Sequence, residues 1–260
     1  MLKQRILSAC ILLPLPVLAL YFGSPWFELL CAVVLTVMGW EWEKLILKRF
    51  SVLGMLIAVT GVCSVFILDL DPLVAWILPA VMTVVLYVAA KKQQLEHKKL
   101  FAFGMIYSVY PIVALAFMLQ NYGFISTIWL IGTVWAMDTG AYLFGKTIGG
   151  PKMCPKISPK KTWAGLIGGM LASAAWGAAC AGFGGASYEP VMIVSAVLGA
   201  VSQGGDLFES WIKRYLGVKD SSDLIPGHGG IFDRTDALLA VAPIVVIIIV
   251  FIYPELNFWG

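Results

Sequence analysis

"GHGGIFDRTDALLAVAPIVVIIIVFIY" (residues 227–253) sets two kinds of sequence side by side. Its first ten residues include His228, Asp233, Arg234 and Asp236, and the next 17 carry no charge. A bilayer core needs about 20 mostly apolar residues per helix, so 237–253 predicts a membrane span with a polar mouth. The rest of the chain repeats the apolar half. Of its 260 residues, 60% are hydrophobic and only 13% charged, and the mean hydropathy is +0.88. That balance excludes an ordinary soluble domain. Apolar stretches at 6–22, 26–46, 52–68, 73–90, 101–119, 125–145, 163–185, 190–212 and 237–253 predict an all-α polytopic membrane protein of about nine transmembrane helices. Residues 1–120 would supply five spans. Residues 121–260 would supply four spans and two long loops.

Neither disulfides nor a zinc site is indicated by the cysteines, because Cys10, Cys31, Cys63 and Cys180 lie in apolar stretches and Cys154 in a basic loop. The start "MLKQRILSAC" imitates a signal peptide, but no small-residue cleavage site follows the apolar run. It reads as an uncleaved first span.

Lysine and arginine mark cytoplasmic loops. Under nine spans, the N-terminus holds Lys3 and Arg5, and the loop after span 2 holds Lys44, Lys48 and Arg49. Lys91, Lys92, Lys98 and Lys99 follow span 4, and Lys146, Lys152, Lys156, Lys160 and Lys161 follow span 6. Lys213, Arg214, Lys219 and Arg234 follow span 8, which accounts for all 18 basic residues of the chain on one side. The expected topology therefore has a cytoplasmic N-terminus and an outside C-terminus. Trp26, Trp76, Trp129 and Trp259 fall near the outer interface, and Trp40, Trp42, Trp163 and Trp211 near the inner one. Two cytoplasmic loops, 146–162 and 213–236, exceed the usual length of unstructured connections and are the expected functional ones.

Ionisable groups inside spans are costly and mark function by default. Asp138 lies about 12 Å and Asp206 about 10 Å along their helices from the cytoplasmic ends, at 1.5 Å per residue. Asp206, Glu209, Ser210 and Lys213 share one stripe of span 8, while Asp138, Tyr142 and Gly145 share a face of span 6. The plain alternative for either aspartate is a buried ion pair joining helices. Asp233 can equally cap span 9, with Asp236 in its first turn. Capping leaves His228, Arg234 and the paired glycines unexplained: Gly229 and Gly230 let backbone N–H groups approach an anion, and Arg234 offers a planar fork for phosphate.

Carboxylates bind Mg²⁺, which binds phosphates, while lysine and arginine neutralise the remaining phosphate charge. The mixture suits a polyphosphate with its metal. Lys91, Lys92, Lys98 and Lys99 fit attraction to anionic membrane lipids instead. "GAYLFGKT" (140–147) matches the P-loop letter pattern, but a P-loop follows a strand and here the segment continues a transmembrane helix. In "GGPKMCPKISPKKTWAG", Pro151, Pro155 and Pro159 stiffen a lysine-rich loop, with Ser158 expected as an anchor before span 7.

"SWIKRYLGVKDSSDLIPGHGGIFDRTD" (210–236) resembles the signature of the phosphatidate cytidylyltransferase (CDP-diacylglycerol synthase) family, with every fixed position met. "DTGAYLFGK" and "PKISPKKTW" resemble two further stretches, so the likeness covers about residues 125–245. One position departs: the family reads Lys-Thr-Trp-Glu-Gly, and Ala164 stands in place of the glutamate. The resemblance implies a bacterial inner-membrane enzyme, its active site facing the cytoplasm, that makes CDP-diacylglycerol and pyrophosphate from CTP and phosphatidic acid. It implies Mg²⁺, with a second metal ion allowed, and a homodimer; nothing points to nucleic acid. Asp206 and Asp233 are the expected metal ligands, and Asp138 and Asp236 further ligands or orienters. Lys213, Arg214, Lys219, His228 and Arg234 would hold phosphates, helped by Lys146, Lys156, Ser158, Lys160 and Lys161. Another lipid phosphate as acceptor remains open within this class. An ion-coupled transporter expects a midplane site and matched repeats, neither of which the sequence has, and a lipid-binding scaffold leaves the acids unexplained.

Overall fold

The computed structural model describes residues 14–49, 51–225 and 229–252. Lys3, Arg5, Cys10, His228 and Trp259 lie outside the described residues. Helices α1 (Pro14–Phe22), α2 (Trp26–Leu47), α3 (Val52–Ile67), α4 (Pro72–Lys92) and α5 (Lys98–Thr147) come first. A hairpin of β1 (Lys152–Cys154) and β2 (Ser158–Thr162) follows, then α6 (Trp163–Gly184), α7 (Tyr188–Tyr215) and α8 (Phe232–Ile247), which runs on as a π turn, Ile248–Ile252. Among the described residues five helices are long and apolar enough to cross a membrane: α4, α5, α6, α7 and Phe232–Phe251. The protein is an α-helical integral membrane protein.

Local chemistry accounts for these boundaries. Asp71 caps α4 by accepting from the Val74 N–H at 3.1 Å, with Pro72 in the first turn. Helix α5, with 50 residues, would reach about 75 Å if straight, more than twice a bilayer core. It breaks at Gly123, whose φ of 72° and ψ of −173° lie outside helical space, within the stretch 120–124 where a loop is expected. The exposed side of α4 carries Ile77, Val81, Val84, Val85 and Val88. An apolar exterior of this extent belongs in lipid.

Residues 146–162, expected as a loop in an all-α protein, contain a short β hairpin instead. The helix ends at Thr147, ahead of Gly149 and Gly150 at positive φ, and the strands then pair antiparallel, with Lys152 opposite Thr162 and Cys154 opposite Ser158. Thr162 ends the hairpin and caps α6, its hydroxyl accepting from the Gly165 N–H at 3.0 Å.

The chain forms two compact units: residues 1–117 with 218–235, and residues 118–217 with 236–260. In the first, α2 and α3 approach so closely that a Cβ on Gly39 would lie 2.7 Å from the Gly54 carbonyl oxygen. Small residues allow this backbone contact between membrane helices. Trp42 is buried there, donating to the Phe101 carbonyl at 3.1 Å, and its ring packs against Tyr107 and Phe232. Phe232 thereby fastens the segment 218–235 to the core of that unit. In the second unit α6 and α7 interlock through small residues, Gly177 against Ser195 and Gly199 against Ser173. Trp129 donates to Ser195 Oγ at 2.8 Å, and Ser173 donates to the Thr133 carbonyl at 3.0 Å.

Candidate active site

Two groups of carboxylates stand out, one in each unit. In the first unit Glu41, on α2, is fully buried and accepts three hydrogen bonds from the far end of the chain. The Ser222 hydroxyl donates at 2.5 Å, the Ile231 N–H at 2.9 Å and the Phe232 N–H at 3.0 Å. The last two donors belong to the start of α8, where backbone N–H groups lack helical partners. Asp233 closes the same loop: its Oδ2 accepts from Ser221 N, Ser221 Oγ and Gly230 N, each at 2.8 Å.

The paired glycines do approach anions, and the anions are the chain's own. Gly229 has φ +80°, and a Cβ there would meet Asp233 Oδ2 at 2.6 Å. A Cβ on Gly230 would collide with Ser221 Oγ and Glu41 Oε1. Any side chain at either position collides with the carboxylates that shape the loop. Lys219 and Arg234 are exposed, so their charges stand outside this network.

Helix α8 begins at Phe232, which puts Asp233 within the first turn rather than before it and Asp236 one turn on. In the second unit Asp236 lies within hydrogen-bonding reach of Glu209, with Asp206 as a further charged neighbour. Asp206 accepts from Ser210 Oγ at 3.3 Å, and its Oδ2 lies 2.5 Å from Lys161 Nζ. Lys161 also donates to the Gln203 carbonyl at 3.4 Å, so the hairpin is tied to α7 at that point. Glu209 pairs with Lys213 at 3.0 Å, one turn along the helix, and both side chains are buried. Three carboxylates and two ammonium groups from β2, α7 and α8 therefore share one small region.

Of the expected site residues, Asp206, Lys213, Asp236 and Lys161 are brought together in this unit. Lys156 and Lys160 are exposed on the hairpin, and Ser158 sits opposite Cys154. Asp138 is exposed on α5, as is Tyr142, whose ring and hydroxyl lie beside Lys146 Nζ. Arg214 is exposed at the end of α7. Residues 140–147 are helical, so the likeness to a P-loop ends with the letters. Asp206 and Asp233 belong to different units. Among the described residues no group of three or more His, Cys, Asp or Glu side chains is arranged to hold a metal ion.

Sequence reasoning missed Glu41. The signal was present in "WEWEK", where two glutamates interrupt an apolar stretch and buried charge demands partners. Glu43 answers the same demand locally, accepting from Ser51 N, Ser51 Oγ and Gly54 N.

Comparison with known proteins assigns the chain to a family. Residues 3–252 match the model of the Cytidylyltransferase family. The phosphatidate cytidylyltransferase of Brucella suis biovar 1 (strain 1330) is 34% identical over 255 residues, covering 93% of this chain and 90% of the relative. That of Haemophilus influenzae (strain ATCC 51907 / DSM 11121 / KW20 / Rd) is also 34% identical, covering 94% and 96%. That of Staphylococcus aureus (strain COL) reaches 44% identity over a shorter stretch, 45% of this chain. With a family match that runs almost end to end and relatives matched along nine-tenths of their length, the chain belongs to the cytidylyltransferase family.

Proposed function

We propose that the protein transfers the cytidylyl group of CTP to phosphatidate, giving CDP-diacylglycerol and pyrophosphate. The observation that carries this reading is the cluster of Asp206, Glu209 and Asp236 with Lys161 and Lys213, formed by the stretches that resemble the family signature. An oxygen of the lipid phosphate attacks the α-phosphorus of CTP in line. The new P–O bond forms as the bond to the β-phosphate breaks, and its electron pair leaves with pyrophosphate. The lipid phosphate is already ionised at neutral pH, so no protein nucleophile is needed, and positioning with electrostatics carries the rate.

Lys161 and Lys213 answer the charge of the triphosphate when they exchange their carboxylate partners for phosphate oxygens. Ser210 orients Asp206. Arg214, Lys219 and Arg234 are exposed cations suited to phosphate, and His228 and Asp138 complete the proposed set, with Lys146, Lys156, Ser158 and Lys160 assisting. Magnesium is usually held by one or two carboxylates together with substrate phosphates, so Asp206 with Asp236 would hold it beside a bound triphosphate, and the ammonium of Lys161 already occupies a cation's place on Asp206. Magnesium would neutralise phosphate charge there. Asp233 spends Oδ2 on the loop, and the other oxygen of a carboxylate offers further acceptor sites.

The separation of basic residues supports nine spans, a cytoplasmic N-terminus, an outside C-terminus and an active site facing the cytoplasm of a bacterial inner membrane. A homodimer among membrane lipids is the proposed assembly. Radiolabelled CTP offered to the purified protein with phosphatidate, a polyprenyl phosphate and an ether-lipid phosphate tests the reading. Label in CDP-diacylglycerol is expected; label in a different lipid only would reassign the acceptor, and none in any lipid would refute the activity.

A further inference from the structure

An apolar groove of about 570 Å³ runs between α2 and α3, walled by Thr36 and Trp40 on one side, Met55, Val59 and Cys63 on the other, and Leu224 from the signature loop. The volume lies in the range of small-molecule sites. Met55, Val59 and Cys63 follow one another at four-residue spacing and form a single stripe of α3. Thr36 donates its hydroxyl to the Ala32 carbonyl at 2.7 Å, so that group is satisfied within its own helix. At one end the ammonium of Lys44, an exposed side chain, lies 4.7 Å from the centre of the Trp40 ring.

We infer that this groove holds an acyl chain of the lipid-phosphate substrate, with Lys44 at its headgroup end. The inference rests on the proposed activity and adds where the acceptor binds. Two observations select this occupant over ordinary membrane lipid. An apolar trough ending in a cation matches an amphiphile whose head is anionic. Leu224 joins the trough to the loop shaped by Glu41 and Asp233, two residues from the Ser222 hydroxyl that Glu41 accepts. A chain seated there stands next to the signature segment itself.

The experiment uses the full chain in phosphatidylcholine nanodiscs, with a phosphatidate carrying a diazirine in its acyl chain. Illumination is expected to attach the probe to Met55–Cys63. Unlabelled phosphatidate should suppress these adducts, and extra phosphatidylcholine should not. In parallel, Val59→Trp, at a position already 55% exposed, is expected to raise the KM for phosphatidate about tenfold, the worth of a methylene or two in an apolar pocket, and to leave the KM for CTP unchanged. Adducts suppressed equally by both lipids, adducts found only elsewhere, or an unaltered lipid KM in the variant would overturn the inference. The crosslinking needs no substitution, so it decides even if the variant folds poorly. Absence of CDP-lipid from the wild type would refute the activity separately, because the adducts are read without turnover.

Discussion

The carboxylates of the loop 218–235 and those of α7 are acids in the same membrane protein, but they are held by different partners. Glu41 and Asp233 accept from backbone N–H groups and serine hydroxyls. Asp206 and Glu209 are met by the ammonium groups of Lys161 and Lys213. Hydrogen bonds from backbone to carboxylate fix a loop, since releasing them leaves buried donors unsatisfied. A lysine is a long, rotatable cation that another cation or a phosphate can relieve. The first region is fastened by fixed donors, whereas the second holds ion pairs whose partners would be exchanged under the proposed function.

Asparagine substitutions in the two regions should separate these roles most strongly. Asp206→Asn is expected to lower turnover by about a thousandfold or more, the scale of losing a principal electrostatic group, with a smaller fall in melting temperature than Asp233→Asn, since the amide oxygen still accepts from Lys161. Asp233→Asn is expected to lower both, because Oδ2 anchors Ser221 and Gly230. Parallel assays and thermal melts check the pair, and equal melting losses in both would erase the distinction.

Lys213→Ala should come next. It strands the buried Glu209 carboxylate, a change worth about 3–5 kcal/mol for a buried pair. Lys213→Met with Glu209→Gln should recover much of the stability and none of the activity, as denaturant titration beside the assay would reveal.

Glu41→Gln sharpens the comparison from the other side. It keeps one acceptor oxygen and turns an amide toward a backbone donor, so about 1–3 kcal/mol should be lost. Proteolysis should quicken within 218–231 before it does elsewhere. Uniform protection along the chain would mean that Glu41 does not hold the loop. The smallest effect is expected of Ala164→Glu in the first turn of α6. A carboxylate there complements the helix dipole and should add about 0.3–1 kcal/mol. A large gain in turnover would instead give that position a part in the site.

Much of the fold was legible because membrane helices announce themselves by length and apolarity. The stretches 26–46, 52–68 and 163–185 correspond to α2, α3 and α6 within a few residues, and the turn expected at 120–124 is the break at Gly123. The hairpin at 152–162 was not legible, since a Pro-Lys alternation shows only that a helix stops. In the site, the stripe of Asp206, Glu209, Ser210 and Lys213 followed from helical spacing. Glu41 could not be joined to Ile231 from sequence, because 190 residues separate them and no local spacing encodes a contact of that range. The glycines show the same limit: their tolerance for a nearby anion was readable, but not that Asp233 and Glu41 supply it.

The account turns on lysine-paired carboxylates being the ones that release and take up a cation. Manganese, a paramagnetic substitute for magnesium, makes this measurable by electron paramagnetic resonance on the purified protein. Wild type and Glu41→Gln should each remove free manganese signal beyond the amount that CTP alone binds, and Asp206→Asn should not. Undiminished manganese binding by Asp206→Asn would contradict the account.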